Sequence, residues 1–340
     1  MIIAFGLVRK RHELVLDAWF PVIKPNAHNL YTRITGIVSL EKNTFTGLTT
    51  SEMMDVAALL PDDITRIEQL SMASTAPHSG YSHTTVGIMV LETIDDAVVS
   101  TSEAYLKLQL ISQRYVLPHG LNLTGIFGVL PTIAWSNLGP ILPQDCDSER
   151  LSAKLKGTEL VISHLDKFPY LLNYHVPSGV RIASGSQVRL GAYLGEGTTI
   201  MPSGYVNFNA GTLGNAMIEG RVSAGVVVNQ DSDIGGGASI MGTLSGGNNT
   251  VISVGSHCLL GANSGIGISL GDGCTVEAGL YITAGMKVLD KTSDTHSVVK
   301  ASTLSGRSGL LFIKDSQTGQ IICKQNPNAI TLNAQLHQND

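Results

Sequence analysis

Glu219 is placed to do acid–base chemistry. It stands between the apolar run Ala216-Met217-Ile218 and Arg221. Apolar neighbours favour the neutral acid and a nearby guanidinium favours the carboxylate, so the position suits a group that accepts a proton near neutral pH. The alternative is a solvated corner carboxylate paired with Arg221. Between residues 173 and 290 the other acids are Glu196, Asp231, Asp233, Asp272, Glu277 and Asp290. His175 and His257 are the imidazoles of that stretch, too few for a three-histidine zinc site. His257 reads either as the base of an O-acyl transfer or as a polar corner, and His119, after Pro118, as structural. Gly235-Gly236-Gly237 and Gly246-Gly247 lack the Gly-Lys-Ser/Thr and Gly-x-Gly-x-x-Gly patterns of nucleotide cradles. They serve as corner residues, or, in GTLSGG, as backbone N–H donors to a thioester oxygen. Lys287, Lys300, Arg307 and Lys314 form a solvated positive face or a hold for the phosphates of coenzyme A.

These residues sit on a repeat. Apolar residues recur every six positions at Val176, Ile182, Val188, Leu194, Ile200 and Val206, with Thr212 a weak member, and again at Ile218. The phase restarts at Val222, Val228, Ile234 and Ile240, shifts to Val254, Leu260 and Ile266, and continues at Leu270, Val276, Ile282 and Val288. A helix needs a period near 3.6 and a half-buried strand a period of 2, so a period of six predicts a hexapeptide parallel β-helix. Of the 37 glycines, 24 fall between residues 173 and 290, where the bends of such a prism need them. The repeat breaks at 212 to 222, 240 to 254 and 266 to 270, and each break is expected to throw a loop out of the wall. The first carries Glu219.

Around the repeat, residues 1–100 read as an α+β domain and 101–172 as a helical and irregular connection. The prism occupies 173–290, and 291–340 forms a loop, a hairpin and a tail. Helices are expected on both sides of Pro61 within 51–70, over 101–116 capped by Thr101 or Ser102, and over 147–156. A strand is expected at 159–163, a polar loop after Val288, and a hairpin of 310–314 with 320–324. With 22 Lys+Arg against 27 Asp+Glu the net charge is -5, which gives no footprint for nucleic acid or an anionic membrane. No apolar run is long enough for a membrane span, and the apolar-then-basic start reverses the order of a secretory signal, so a cytoplasmic protein is expected. Cys146, Cys258, Cys274 and Cys323 are scattered and read as reduced thiols.

The blocks VRLGAYLGEGTTIM, VNFNAGTLGNAMIEGRVSAGVVV, GGGASIMGTLSGG, LLGANSGIGISLGD and VEAGLYITAG closely resemble the longer-chain branch of the tetrahydrodipicolinate N-succinyltransferase family. The likeness extends into EAYLKLQLISQRYVLPHGLNLTGIF and LLFIKDSQTG, and MIEGRVSAG and MGTLSGG at their relative spacing make it specific. The resemblance implies a left-handed parallel β-helix and a homotrimer with active sites between subunits. It also implies succinyl transfer from succinyl-CoA to the amino group of tetrahydrodipicolinate, in lysine and diaminopimelate biosynthesis. Glu219 would then be catalytic, as general base or as a carboxylate forming an acyl-anhydride; the base role is favoured because an attacking amine must lose a proton. Gly242 would supply the oxyanion donor. Arg221, Gly236, Ser239, Ala262, Glu277, Ala278, Gly285, Lys300 and Ile313, Lys314, Asp315 and Ser316 would contact succinyl-CoA. Family acids that bind magnesium near the trimer axis are replaced here by Ser186 and Ser203, so no metal is expected. The rival readings are a His257-dependent O-acetyltransferase and a non-catalytic trimeric scaffold.

Overall fold

A computed structural model of the chain describes residues 1–73, 80–243 and 250–327. The chain divides into two compact units, one of Met1–Gln109 with Leu121–Pro169, the other of Leu110–Gly120 with the chain from Tyr170 onward. The expected connection 101–172 is therefore shared between the two units.

In the first unit a four-stranded antiparallel sheet runs in the order Leu14–Pro25, Ile2–Arg11, His83–Leu91, Thr44–Gly47. Helices Thr50–Ala57 and Ile64–Ala73 flank Pro61 and bury Met53, Val56 and Ile67 against sheet residues such as Ile3, Phe5 and Ile88. Thr49 caps the first of them: its Oγ1 accepts from Glu52 N at 3.3 Å while Glu52 Oε2 accepts from Thr49 N at 2.8 Å. A smaller sheet orders Gly139–Ile141, Ile133–Ser136 and Ile162–Asp166, the last strand lying three residues beyond the expected 159–163.

The helix expected over 101–116 is Thr101–Ser112. Ser100, not Thr101 or Ser102, accepts from Glu103 N, at 3.2 Å. The helix stops early because Arg114 takes a left-handed conformation, φ 64°, and Tyr115 N and Val116 N both turn back to Leu110 O at 2.9 and 3.2 Å.

The second unit is a parallel β-helix with three faces. The first face stacks Arg181–Ile182, Thr198–Ile200, Ala216–Ile218, Ser232–Ile234, Leu259–Leu260, Thr275–Val276 and Leu310–Lys314. The second stacks Tyr205–Val206, Arg221–Val222, Ser239–Ile240, Gly265–Ile266 and Tyr281–Ile282. The third stacks Tyr193–Leu194, Gly211–Thr212, Val227–Val228 and Ser253–Val254. Each hexad anchor thus lies beside the anchor of the same face one coil away, and the anchors from Val188 to Val288 fill a single core at 0 to 3% exposure. Thr212, the weak hexad member, points inward too. Its Oγ1 lies 2.7 Å from Thr198 Oγ1, which keeps a buried hydroxyl satisfied.

Four expectations change. Val176 is not an anchor, being 76% exposed, and Ile182 is only half-buried, so the continuous inward row begins at Val188. The four-residue steps Ile218 to Val222 and Ile266 to Leu270 throw out no loop; each shortens one edge of the prism, between the first and second faces and between the second and third. The polar stretch after Val288 is an antiparallel hairpin of Lys287–Lys291 and Ser297–Lys300. The C-terminal hairpin, Leu310–Lys314 with Ile321–Gln325, belongs to the prism: Phe312, fully buried, pairs beside Val276 and closes the first face. Gly246 and Gly247 lie outside the described residues. The four cysteines are free, and three of them are buried.

Candidate functional site

The edge where the chain turns from the first face to the second carries most of the expected chemistry. Because Ile218, Ile234, Leu260, Val276 and Phe312 stack, the residues following them stack as well: Glu219, Gly235, Gly261, Glu277 and Ile313, and beside these Gly236, Ala262, Ala278 and Lys314. Backbone hydrogen bonds stitch this edge from coil to coil. Glu219 N donates to Ile234 O at 2.8 Å, Gly237 N to Glu219 O at 3.2 Å, Asn263 N to Gly236 O at 2.8 Å and Gly279 N to Ala262 O at 2.8 Å. Parallel strands are about 4.8 Å apart, so the four steps from Glu219 to Ile313 cover roughly 19 Å.

At one end of the edge lies Glu219, half-buried. A Cβ on Gly236 would approach its Oε2 to 3.3 Å, so the carboxylate rests over the space a side chain would fill. Ser203 Oγ donates to Glu219 O at 2.9 Å and fixes the backbone from the other side. The expected pairing with Arg221 is not made. Arg221 points out from the second face, and its Nε and Nη2 donate to Ser239 Oγ at 3.1 and 2.7 Å.

At the other end an open cavity of about 420 Å³ brings together Glu277, Ala278, Lys314, Asp315 and Ser316. Gly279, Leu280 and Gly319, which the sequence analysis did not single out, complete its lining. Glu277 Oε2 accepts from Lys314 N at 2.7 Å, and Asp315 Oδ1 accepts from Thr318 N at 2.8 Å, Thr318 Oγ1 at 2.9 Å and Gln317 N at 3.0 Å. These bonds, those from Thr318 first, hold the Asp315 carboxyl below the usual range.

Besides Arg221 and Ser239, three more expected residues lie off this edge. Gly242 sits where the chain leaves the second face: its position packs against Ala224 O, 3.1 Å from where a Cβ would stand, and its carbonyl accepts from Ile252 N at 3.2 Å. Among the described residues no acceptor takes the Gly242 N–H. Gly285 leaves the second face one coil beyond Ile266, and Lys300 lies near it, paired with Lys287 in the hairpin. Within one chain, then, Glu219 and Gly242 occupy different edges of the prism. His257 is on the third edge, with Nε2 at 3.9 Å from Asp231 Oδ2, so it shares no edge with Glu219.

The two serines at the family's metal positions are engaged within the chain, Ser203 with Glu219 O and Ser186 with Ser184 Oγ at 3.0 Å. Hard divalent cations need carboxylate or several carbonyl oxygens, so this pair does not fit one. Among the described residues no group of three or more His, Cys, Asp or Glu is arranged to hold a metal. No helix among them is long and apolar enough to cross a membrane.

Known proteins share the repeat and the fold. The family described as the hexapeptide repeat of succinyl-transferase matches residues 251–284, and the tetrahydrodipicolinate N-succinyltransferase middle region matches 130–170. Fold and family match together define an acyltransferase of the hexapeptide-repeat class. A 2,3,4,5-tetrahydropyridine-2,6-dicarboxylate N-succinyltransferase of Vibrio cholerae is 46% identical over 344 residues, covering 99% of each chain. That of Pseudomonas aeruginosa is 48% identical over 340 residues, covering 98% of this chain and 97% of its own. A crystal structure from Campylobacter jejuni, described as a 2,3,4,5-tetrahydropyridine-2-carboxylate N-succinyltransferase, superposes with a TM-score of 0.82 at 32% identity over 96% of this chain and 93% of that one. The chain belongs to the tetrahydrodipicolinate N-succinyltransferase family.

Proposed function

We propose that the protein transfers the succinyl group of succinyl-CoA to the amino group of tetrahydrodipicolinate, as a cytoplasmic enzyme of lysine and diaminopimelate biosynthesis. The observation that carries the reading is the single stacked edge from Glu219 to Ser316. Its length suits an extended pantetheine arm, with the thioester at the Glu219 end and the remainder of coenzyme A at the cavity of Glu277, Ala278 and Lys314–Ser316.

In this reading Glu219 accepts the proton of the attacking amine. The nitrogen bonds to the thioester carbonyl carbon, the carbon–sulfur bond breaks, and the departing thiolate takes up the proton. The Gly242 N–H stabilises the carbonyl oxygen as it gains charge. Since Glu219 and Gly242 stand on different edges of one prism, both reach one thioester when Glu219 of one subunit faces Gly242 of another. That is the geometry of a cyclic homotrimer with its sites between subunits. Arg221 and Ser239 hold the acyl group, and Gly285 and Lys300 contact the cofactor from the facing subunit.

The test is release of free CoA from succinyl-CoA in the presence of tetrahydrodipicolinate by the purified protein. Glu219→Gln, close in shape and unable to act as base, is expected to lower kcat by about 10²- to 10⁴-fold. A wild-type protein that releases no CoA, or a Glu219→Gln variant with full activity, would contradict the proposal.

A further inference from the structure

The outward side chains of the second face form one row, Tyr205, Arg221, Ser239, Gly265 and Tyr281 on successive coils. Two members of this row lean toward its middle. Arg221 reaches one coil along and donates twice to Ser239 Oγ, at 3.1 and 2.7 Å. From the other end the Tyr281 ring lies across Gly265: a Cβ on that glycine would stand 2.1 Å from Cε2, 2.3 Å from Cδ2 and 2.6 Å from Cζ. The ring therefore fills the space of a side chain at 265. Its hydroxyl is borne on Cζ, over Gly265, whose neighbour on the next coil is Ser239. Among the described residues that hydroxyl has no hydrogen-bond partner.

The result is a convergence of donors on an exposed face. Arg221 offers five N–H groups and no acceptor, of which Ser239 uses two. The Tyr281 ring, over Gly265, brings a further O–H to the same face one coil beyond Ser239. No carboxylate side chain belongs to the row, so an anion from outside would complete it. A carboxylate matches this arrangement, taking charge-assisted bonds from both arms.

We propose that Tyr281, laid across Gly265, is the second arm of a clasp that with Arg221 and Ser239 grips the distal carboxylate of the succinyl group and selects it over uncharged acyl chains. This rests on the succinyl-CoA reading above. An acetyl thioester has no group for the clasp and would leave its donors unpaired, which is how a polar site rejects an analogue that lacks the matching group.

The experiment compares kcat/KM for succinyl-CoA and acetyl-CoA in the wild type, Tyr281→Phe and Gly265→Ala, together with the Kd of free CoA. Tyr281→Phe removes one oxygen from an outward ring and leaves the prism core untouched. It is expected to lower kcat/KM for succinyl-CoA about tenfold, the worth of one hydrogen bond to a charged group, with acetyl-CoA turnover and CoA binding unchanged. Gly265→Ala, which must push the ring aside, is expected to reproduce that loss. An unchanged succinyl-to-acetyl ratio in Tyr281→Phe overturns the clasp, as does a parallel loss for both thioesters or a weaker Kd for CoA. A wild-type protein that turns over neither thioester removes the underlying reading, and this is seen before any variant is made.

Discussion

The Glu219 carboxylate lies over Gly236 of the adjacent coil, with only 3.3 Å between Oε2 and the place a Cβ would take. A methyl group there forces the carboxylate to yield by a few tenths of an ångström. Reacting groups tolerate such shifts poorly, since a misplacement of about 1 Å costs about a hundredfold. Gly236→Ala is therefore expected to lower kcat about tenfold while thermal stability stays close to wild type. Steady-state kinetics with a melting curve on the same sample check this, and an unaltered kcat would show that the base needs no fixed position.

The Arg221 to Ser239 contact gives a second expectation. Two hydrogen bonds hold the guanidinium on the second face, and each contributes about 1 kcal/mol. In Ser239→Ala the arginine keeps its charge and loses its anchor. KM for succinyl-CoA is expected to rise by about five- to thirtyfold, the worth of one to both bonds, with kcat little changed because Glu219 lies on the neighbouring edge. A fall in kcat with constant KM would place Ser239 in the chemical step instead.

Much of this architecture was legible because the hexad spacing is geometric. Counting sixes assigns Ile218, Ile234, Leu260 and Val276 to one face, and the residue after each must then line one edge. Glu219 and Glu277 could be placed together on that basis alone. What the count missed came from residues that break the rule for local reasons. Val176 keeps the phase yet precedes the first closed coil, so it has no neighbour to bury it. Phe312 returns to the first face after an intervening hairpin, a step no local period records. Sequence distance puts Arg221 beside Glu219; in a β-helix its nearer partner is Ser239, one coil away. Tyr281 stands in register with Arg221, and only the empty space at Gly265 shows where its ring goes.

The correction at Val176 has a direct stability test. Ile240 is fully buried in the prism and Val176 is 76% exposed, although both keep the six-residue phase. Truncating a buried isoleucine costs about 2–5 kcal/mol through lost burial and a residual cavity. Truncating an exposed valine stays within about 0.5 kcal/mol. Ile240→Ala should therefore lower the melting temperature markedly and Val176→Ala should not. Equal losses would make Val176 a true member of the core.

His175 supplies a pH dependence whose sign can be worked out. Burial first, and then the charge of Arg114, hold its imidazole below the ordinary histidine range. The folded protein therefore keeps His175 neutral where the unfolded chain already binds a proton. Stability contributed by this neutral state is fully present above an unfolded value of about 6.5 and is lost as pH falls from there toward the folded value. His175→Gln removes the titration while keeping a polar side chain of similar reach. The melting temperature of the wild type is expected to drop more steeply than that of His175→Gln between about pH 6.5 and 5. Parallel slopes through that window would assign the acid sensitivity to other groups and show that the fold does not hold His175 below the ordinary histidine range.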